Sequence, residues 1–205
     1  MRKIKRREFI TLLGGAWAWP LAAHAQQSDP VRRIGVLLGS EENDPDLQAR
    51  LAGFRQGLER RGWREGRNVL VDYRFGDGKP SRFQPLAKEL LALQPNVIVA
   101  QSPPVVAALQ RESRGIPIVF VDVSDPIGEG FIVGLARPGG NLTGLLSFEA
   151  SITGKWLAML KEIMPGLTRV ALVSNPKTTS FDYFRRAAEA LAPPLGITSR
   201  MVIQV

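Results

Sequence analysis

The feature that most constrains the fold is a regular alternation of short apolar runs with longer stripes of apolar residues at helical spacing. The first run, residues 34–38, has the length and composition of a strand buried on both faces. Leu47, Leu51, Phe54 and Leu58 then recur at intervals of four, three and four residues, on one face of a helix. Strands that alternate with helices in this way predict a parallel sheet covered by helices, the α/β class.

The alternation continues along the chain and predicts two lobes. Further strands are predicted at residues 69–75, 97–100, 118–121, 145–148, 170–173 and 201–205, with helical stripes between them. We expect a complete first lobe over residues 33–148 and a partial second lobe over residues 149–205. Two strands and two helices do not readily cover both faces of a sheet. The second lobe is therefore expected to be incomplete and to leave apolar side chains uncovered.

Residues 1–25 are predicted to be an export signal. A basic start precedes a weakly apolar stretch, and a small-x-small sequence predicts cleavage after Ala25. The pair Arg6-Arg7 resembles a twin-arginine motif, which directs folded proteins across the bacterial inner membrane. An uncleaved anchor is the alternative, but the apolar stretch is shorter than the roughly 20 residues that span a bilayer. We expect a periplasmic protein that begins with a linker at residues 26–32.

Charge and missing residue types exclude several functions. The formal net charge is +8 at pH 7, but much of it lies in the predicted signal. The cluster of Arg60, Arg61, Arg64 and Arg67 is typical of a solvated helix end, so no nucleic acid partner is expected. The chain has no cysteine, and its one histidine, His24, lies in the predicted signal. Histidine-dependent and cysteine-dependent catalysis and the usual zinc sites are therefore unexpected, and no cofactor is predicted.

Polar side chains follow the predicted strands, and open parallel sheets bind ligands at the carboxyl ends of their strands. The candidate ligand-binding residues are Ser40, Ser102, Pro103, Asp125, Ser147 and Asn175. Hydroxyl groups and the helix start after Pro103 could hold a carboxylate, and Asp125 could pair with an ammonium group. Helix capping and turn formation are the alternative roles for each of them. Trp156, Phe181 and Phe184 fall on helical stripes, so we expect them to fill the core.

Several motifs in a fixed order resemble one known family. They are Ile-Gly-Val-Leu at residues 34–37, Gly-Phe-Arg-Gln-Gly-Leu at 53–58, Ser-Asp-Pro-Ile-Gly at 124–128, Pro-Gly-Gly-Asn-Leu-Thr-Gly at 138–144 and Asn-Pro at 175–176. Over residues 33–176 the chain is similar to ABC transporter substrate-binding proteins, whose characterised members include binders of tryptophan and related aromatic amino acids.

The resemblance implies a periplasmic-binding-protein fold, in which two α/β lobes close on a ligand and the chain crosses between them near residues 148–150. Ser102 resembles the family's hydroxyl-proline step after the third strand, Asp125 the acid of its Asp-Pro turn, and Asn175 the Asn-Pro step after the first strand of the far lobe. The implied function is capture of a small molecule, such as an amino acid, for an ABC permease in the inner membrane, without catalysis. Family members are longer, so the chain resembles a C-terminally truncated copy, for which weak or absent binding is expected. A non-functional fragment and an exported enzyme on the same fold are the alternatives.

Overall fold

Five of the described strands form the main sheet of this protein. The computed structural model describes residues 31–174 and 180–203. The main strands are β1 (Arg32–Leu38), β2 (Val69–Phe75), β3 (Val97–Gln101), β4 (Ile118–Val123) and β5 (Leu142–Leu146). They lie in the order β2-β1-β3-β4-β5, and neighbouring strands are parallel. The predicted α/β class is confirmed. The predicted signal peptide and Asn175 lie outside the described residues.

Three helices connect the first four strands, namely α1 (Pro45–Arg60), α2 (Pro80–Ala92) and α3 (Pro103–Glu112). The start of α1 is fixed by Asp44, whose carboxylate accepts hydrogen bonds from the backbone N–H groups of Asp46 (2.9 Å) and Leu47 (3.3 Å). Proline at the first helical position of α1 is preset for a helix and needs no N–H donor there. This local chemistry makes the helix begin where the apolar stripe begins.

The core lies on both faces of the main sheet. On one face, Leu47 and Leu51 of α1 pack against Val36 and Leu38 of β1. On the other face, α2 and α3 cover a larger cluster of buried side chains, which includes Leu90, Ile98, Val105, Leu109, Ile118 and Phe120. Each of these six side chains is almost completely buried. The central strands therefore have apolar residues on both faces, as the continuous apolar runs predicted.

Strand β5 begins earlier than the sequence predicted. It covers Leu142–Leu146 and pairs with β4, so Ser147 follows the strand instead of lying within it. Gly144 allows this pairing, because a Cβ at that position would collide with the backbone carbonyl of Phe120. The predicted position, 145–148, is wrong because the requirement for a glycine opposite Phe120 comes from the neighbouring strand and is invisible in the local pattern.

A second, smaller sheet follows. It consists of the parallel strands β6 (Arg169–Ser174) and β7 (Thr198–Ile203), and it is accompanied by helices α4 (Ser151–Ile163) and α5 (Phe181–Leu191) and a short 3-10 helix at Pro193–Leu195. Leu157, Ala192 and Ile197 form its core. Val173 and Val202 are 63% and 42% exposed, so the small sheet does leave apolar side chains uncovered.

Both sheets belong to one compact unit that begins at Arg32. The chain passes from β5 to α4 through residues 147–150, which is where the sequence predicts the crossing between lobes. We call the two parts the first lobe (residues 33–148) and the second lobe (residues 149–205), and this division stays a prediction. Within the described ranges, no helix has both the length and the apolar character needed to cross a membrane.

Candidate functional site

A cavity of 260 Å³ lies where the carboxyl ends of the main strands meet the helices of the second lobe. Its described lining residues are Ser102, Pro103, Asp122, Ser124, Ser147, Phe148, Trp156, Ser180 and Phe184. The first six follow or end β3, β4 and β5, and the last three belong to α4 and to the start of α5. We call it the interlobe cavity. Its position agrees with the general rule that open parallel sheets bind ligands beyond the carboxyl ends of their strands.

Ser102 occupies the turn between β3 and α3 in a backbone conformation that suits glycine. Its φ is 79° and its ψ is 151°, a region in which a Cβ is strained. Its N–H donates to the carbonyl of Val121 (3.1 Å), and its carbonyl accepts from the N–H of Val106 (3.1 Å). The hydroxyl makes no capping bond to α3, whose residues are all described. A serine thus stands where glycine would be less strained, and its hydroxyl has no role in capping the helix.

Asp122, at the end of β4, has a second unusual backbone, with φ at 59°. Such a positive φ is uncommon outside glycine, although aspartate tolerates it better than most residues. The carboxylate accepts a hydrogen bond from the Ser147 hydroxyl at 2.9 Å and a long one from the Gln101 side-chain amide at 3.4 Å. Arg50 lies 3.8 Å away on α1. The side chain of Asp122 is 46% exposed, so its carboxylate can also contact a ligand.

Three aromatic rings form one wall of the interlobe cavity. The ring centroids of Phe148 and Trp156 are 6.1 Å apart at 65°, and those of Trp156 and Phe184 are 6.3 Å apart at 26°. The prediction that Trp156 fills the core is wrong, because its side chain is 40% exposed. Helix α4 buries the face that carries Thr153 and Leu157. Trp156 directly precedes Leu157, so its side chain lies about 100° away from Leu157 around the helix.

Ser180 lies at the start of α5 and is the most buried polar residue of the lining, at 5% exposure. Its hydroxyl has no hydrogen-bond partner among the described residues. A buried polar group without a partner is costly in a folded protein. Partial burial raises the pKa of Glu129, and the negative charge of Asp125 adds to that rise. The N–H of Glu129 donates to the Asp125 carbonyl at 3.0 Å, so the two acids belong to one turn.

The structure brings three of the predicted site residues together and separates the others. Ser102, Pro103 and Ser147 line the interlobe cavity. Asp125 is absent from the lining, and its carboxylate accepts a hydrogen bond from the N–H of Gly128 at 2.8 Å, which is a turn-forming role. Ser40 is also absent from the lining, and its carbonyl accepts from the N–H of Asp77 at 3.2 Å. Asn175 lies outside the described residues.

The candidate residues chosen from the sequence did not include Asp122 or the three rings of the aromatic wall. Asp122 directly follows the apolar run 118–121, so its place at a strand end was a usable signal, but Asp125 seemed the better candidate. The packing of α4 and α5 decides whether Trp156 and Phe184 face the core or the cavity. The spacing of apolar residues in the sequence does not distinguish these two orientations. Phe148 was assigned to a strand that in fact ends at Leu146.

A second cavity, of 340 Å³, lies between α1 and the main sheet. It shares Asp122 and Ser147 with the interlobe cavity, but most of its wall is apolar and belongs to β1, β3 and α1. Gln101 reaches its rim and is 8% exposed. The interlobe cavity is the better candidate site because it combines the carboxyl ends of the main strands with residues of α4 and α5 and includes several polar side chains. Among the described residues, no cluster of acidic, histidine or cysteine side chains is arranged to hold a metal ion.

Comparisons with known proteins show which family the chain belongs to. Residues 36–200 match the family model described as ABC transporter substrate binding protein. A tyrosine-binding protein of Clostridioides difficile (strain R20291) is 24% identical over 150 residues, which are 73% of this chain and 43% of that protein.

Solved structures with a similar fold also match this chain. A conserved domain protein of Vibrio cholerae O1 biovar El Tor strain N16961 superimposes with a TM-score of 0.78 at 29% identity, over 85% of this chain and 57% of that one. An ABC domain from Streptococcus pneumoniae in complex with L-Trp gives 0.73 at 22% identity, over 84% of this chain and 57% of that one.

The chain spans about half the length of the relatives it matches. The family model nevertheless covers most of this chain, including the end of β1, the other four strands of the main sheet and the described lining of the interlobe cavity. The chain belongs to the family of ABC transporter substrate-binding proteins.

Proposed function

We propose that this protein captures a small molecule in the interlobe cavity and delivers it, unchanged, to an ABC permease in the inner membrane. In this proposal the protein acts in the periplasm after export, with residues 1–25 removed as a twin-arginine signal. Its mechanism is closure of the two lobes around one ligand, as in periplasmic binding proteins. The tryptophan and tyrosine named for the pneumococcal and clostridial relatives make an amino acid with an aromatic side chain the first ligand to test.

The observation that carries this proposal is Ser102. Its hydroxyl is held at the interlobe cavity by a backbone conformation that costs about 1–3 kcal/mol for a residue other than glycine. A residue with only a structural role at this turn would be glycine, which adopts the same conformation without strain. Strained residues of this kind cluster at functional sites, and Ser102 lines the same cavity as Asp122 and Ser147. The position of Ser102 in the cavity lining supports ligand recognition near the N-terminus of α3.

The test is calorimetric titration of the exported, purified protein and its Ser102 variants with tryptophan, tyrosine and phenylalanine. Ser102→Ala keeps the strain and removes the hydroxyl, whereas Ser102→Gly removes both. We expect both variants to bind at least about 5-fold more weakly, which corresponds to the loss of one hydrogen bond. Ser102→Gly is also expected to be more stable than Ser102→Ala. Ser81→Ala, on the exposed surface of α2, serves as the matched control.

Equal affinity in the wild type and both Ser102 variants would remove the support that Ser102 gives. Mass spectrometry of the ligand after incubation addresses the alternative of an exported enzyme, because a receptor returns the compound unchanged. A new product that forms in proportion to the protein would favour the enzyme.

A further inference from the structure

The interlobe cavity has an uneven distribution of charge. Asp122 is the only ionisable side chain among its described lining residues, and the other polar residues there are four serines. Serine hydroxyls can accept hydrogen bonds from an ammonium group or donate them to a carboxylate. A ligand cation would therefore find a charged partner and neutral acceptors, whereas a ligand anion would meet the like charge of Asp122.

The carboxylate of Asp122 has capacity left for a ligand. A carboxylate offers about four acceptor sites. One is taken by the Ser147 hydroxyl at 2.9 Å, and the Gln101 amide is at the long distance of 3.4 Å. Arg50 approaches only to 3.8 Å, its side chain is 65% exposed, and it lines the cavity under α1 and not the interlobe cavity. An exposed pair at this separation is weak and does not neutralise Asp122.

The aromatic wall adds a second preference for cations. Phe148 and Trp156 are 51% and 40% exposed, although large aromatic side chains are usually buried, and both line the interlobe cavity. Aromatic faces attract an ammonium group and also stack on a planar ring.

We propose that the interlobe cavity selects aromatic amines, with Asp122 holding the ammonium group and the aromatic wall holding the ring, so that no carboxylate on the ligand is needed. This inference rests on the proposed function and deepens it by naming the ligand class. It also separates this site from a receptor specific for amino acids, in which the carboxylate of the ligand contributes to affinity.

Three indole compounds test the inference on the full, exported protein. Tryptamine carries the amine alone, indole-3-propionate carries the acid alone, and tryptophan carries both groups. We expect tryptamine to bind at least as tightly as tryptophan and at least ~10-fold more tightly than indole-3-propionate in titration calorimetry, as one charge-assisted contact implies. This comparison uses one folded protein and does not depend on any variant.

Paired substitutions assign the effect to one carboxylate. Asp122→Asn is expected to weaken tryptamine binding by ~10-fold or more and to leave indole-3-propionate binding unchanged or stronger. Asp125→Asn removes the same charge three residues away, and its amide oxygen can still accept from Gly128, so tryptamine affinity should stay within about 2-fold. Arg50→Gln should leave tryptamine affinity within about 2-fold of the wild type, because the exposed pair with Asp122 is weak.

The outcomes separate this inference from the proposed function. Stronger binding of tryptophan or indole-3-propionate than of tryptamine would overturn the amine preference and leave the receptor role standing. A tryptamine affinity that Asp122→Asn does not change would overturn the role of Asp122. If none of the three compounds nor any aromatic amino acid binds, both the inference and the proposed function fail.

Discussion

At the scale of single residues, the interlobe cavity depends on two positions whose backbones are unusual. Ser102 directly follows β3, and Asp122 is the penultimate residue of the neighbouring strand β4; both have positive φ values although neither is glycine. Their side chains are thereby turned to one edge of the sheet. Asp125, which has the more obvious acid-proline motif, instead closes a turn through Gly128. Proximity in sequence therefore did not distinguish the acid at the site from the acid in the turn.

Glu129 gives a prediction about pH. Partial burial and the nearby charge of Asp125 raise the pKa of Glu129 in the folded protein. In the pH range above the ordinary pKa of glutamate, the folded state binds more protons at this site than the unfolded state does. Stability from this group is therefore present at low pH and is lost as the pH rises through the raised pKa.

We expect Glu129→Gln to increase the urea midpoint at pH 7.5 relative to the wild type and to have little effect on it near pH 4. Urea denaturation at the two pH values provides the measurement. Glu162→Gln, on the exposed surface of α4, is the control. A Glu129→Gln variant that is less stable than the wild type at pH 7.5 would show that ionised Glu129 stabilises the fold. The predicted direction of the pH dependence would then be wrong.

At the scale of elements, the sequence predicted most strands and helices because their signals are local. Apolar runs and helical stripes lie within each segment, and all five main strands were expected. The difference between the predicted range of β5, 145–148, and its observed range, Leu142–Leu146, shows that local patterns do not fix every strand boundary. Its start depends on how closely β5 approaches Phe120, and that contact involves a residue more than 20 positions away.

The same limit applies to the candidate site. Strand ends can be located from apolar runs, so Ser102, Pro103 and Ser147 were predicted and do line the interlobe cavity. The contribution of Trp156 and Phe184 could not be predicted, because it depends on which faces of α4 and α5 are left uncovered. The buried hydroxyl of Ser180 follows from tertiary packing alone.

Gly144→Ala tests the account of β5. The new methyl group would collide with the Phe120 carbonyl, so β5 would have to move away from β4. We expect a loss of about 1–3 kcal/mol in the free energy of unfolding, measured by urea denaturation. Gly140→Ala is the matched control, because a Cβ there meets no described atom within 4 Å. Equal effects of the two substitutions would contradict a specific requirement for glycine in β5.

At the scale of the whole molecule, the interlobe cavity is lined by residues of both lobes. Asp122 and three of the four serines come from the first lobe, whereas Trp156, Ser180 and Phe184 come from the second. The Tyr183 hydroxyl accepts a hydrogen bond from the N–H of Ala150 at 2.8 Å, and this contact ties α5 to the crossing segment between the lobes. A ligand that contacts both walls stabilises their association, which is the physical basis of the proposed closure.

Fluorescence of Trp156 tests this central claim most directly. Trp63 lies outside the interlobe cavity, so Trp63→Phe leaves Trp156 as the reporter in the exported protein once the predicted signal, which holds the other two tryptophans, is removed. Phenethylamine and phenylalanine add little emission of their own when tryptophan is excited selectively. The account predicts a saturable shift of Trp156 emission with these ligands, and at least about 5-fold more ligand should be needed to reach it in Ser102→Ala. Ligand binding in calorimetry with no change in Trp156 emission would place the ligand elsewhere and contradict the account.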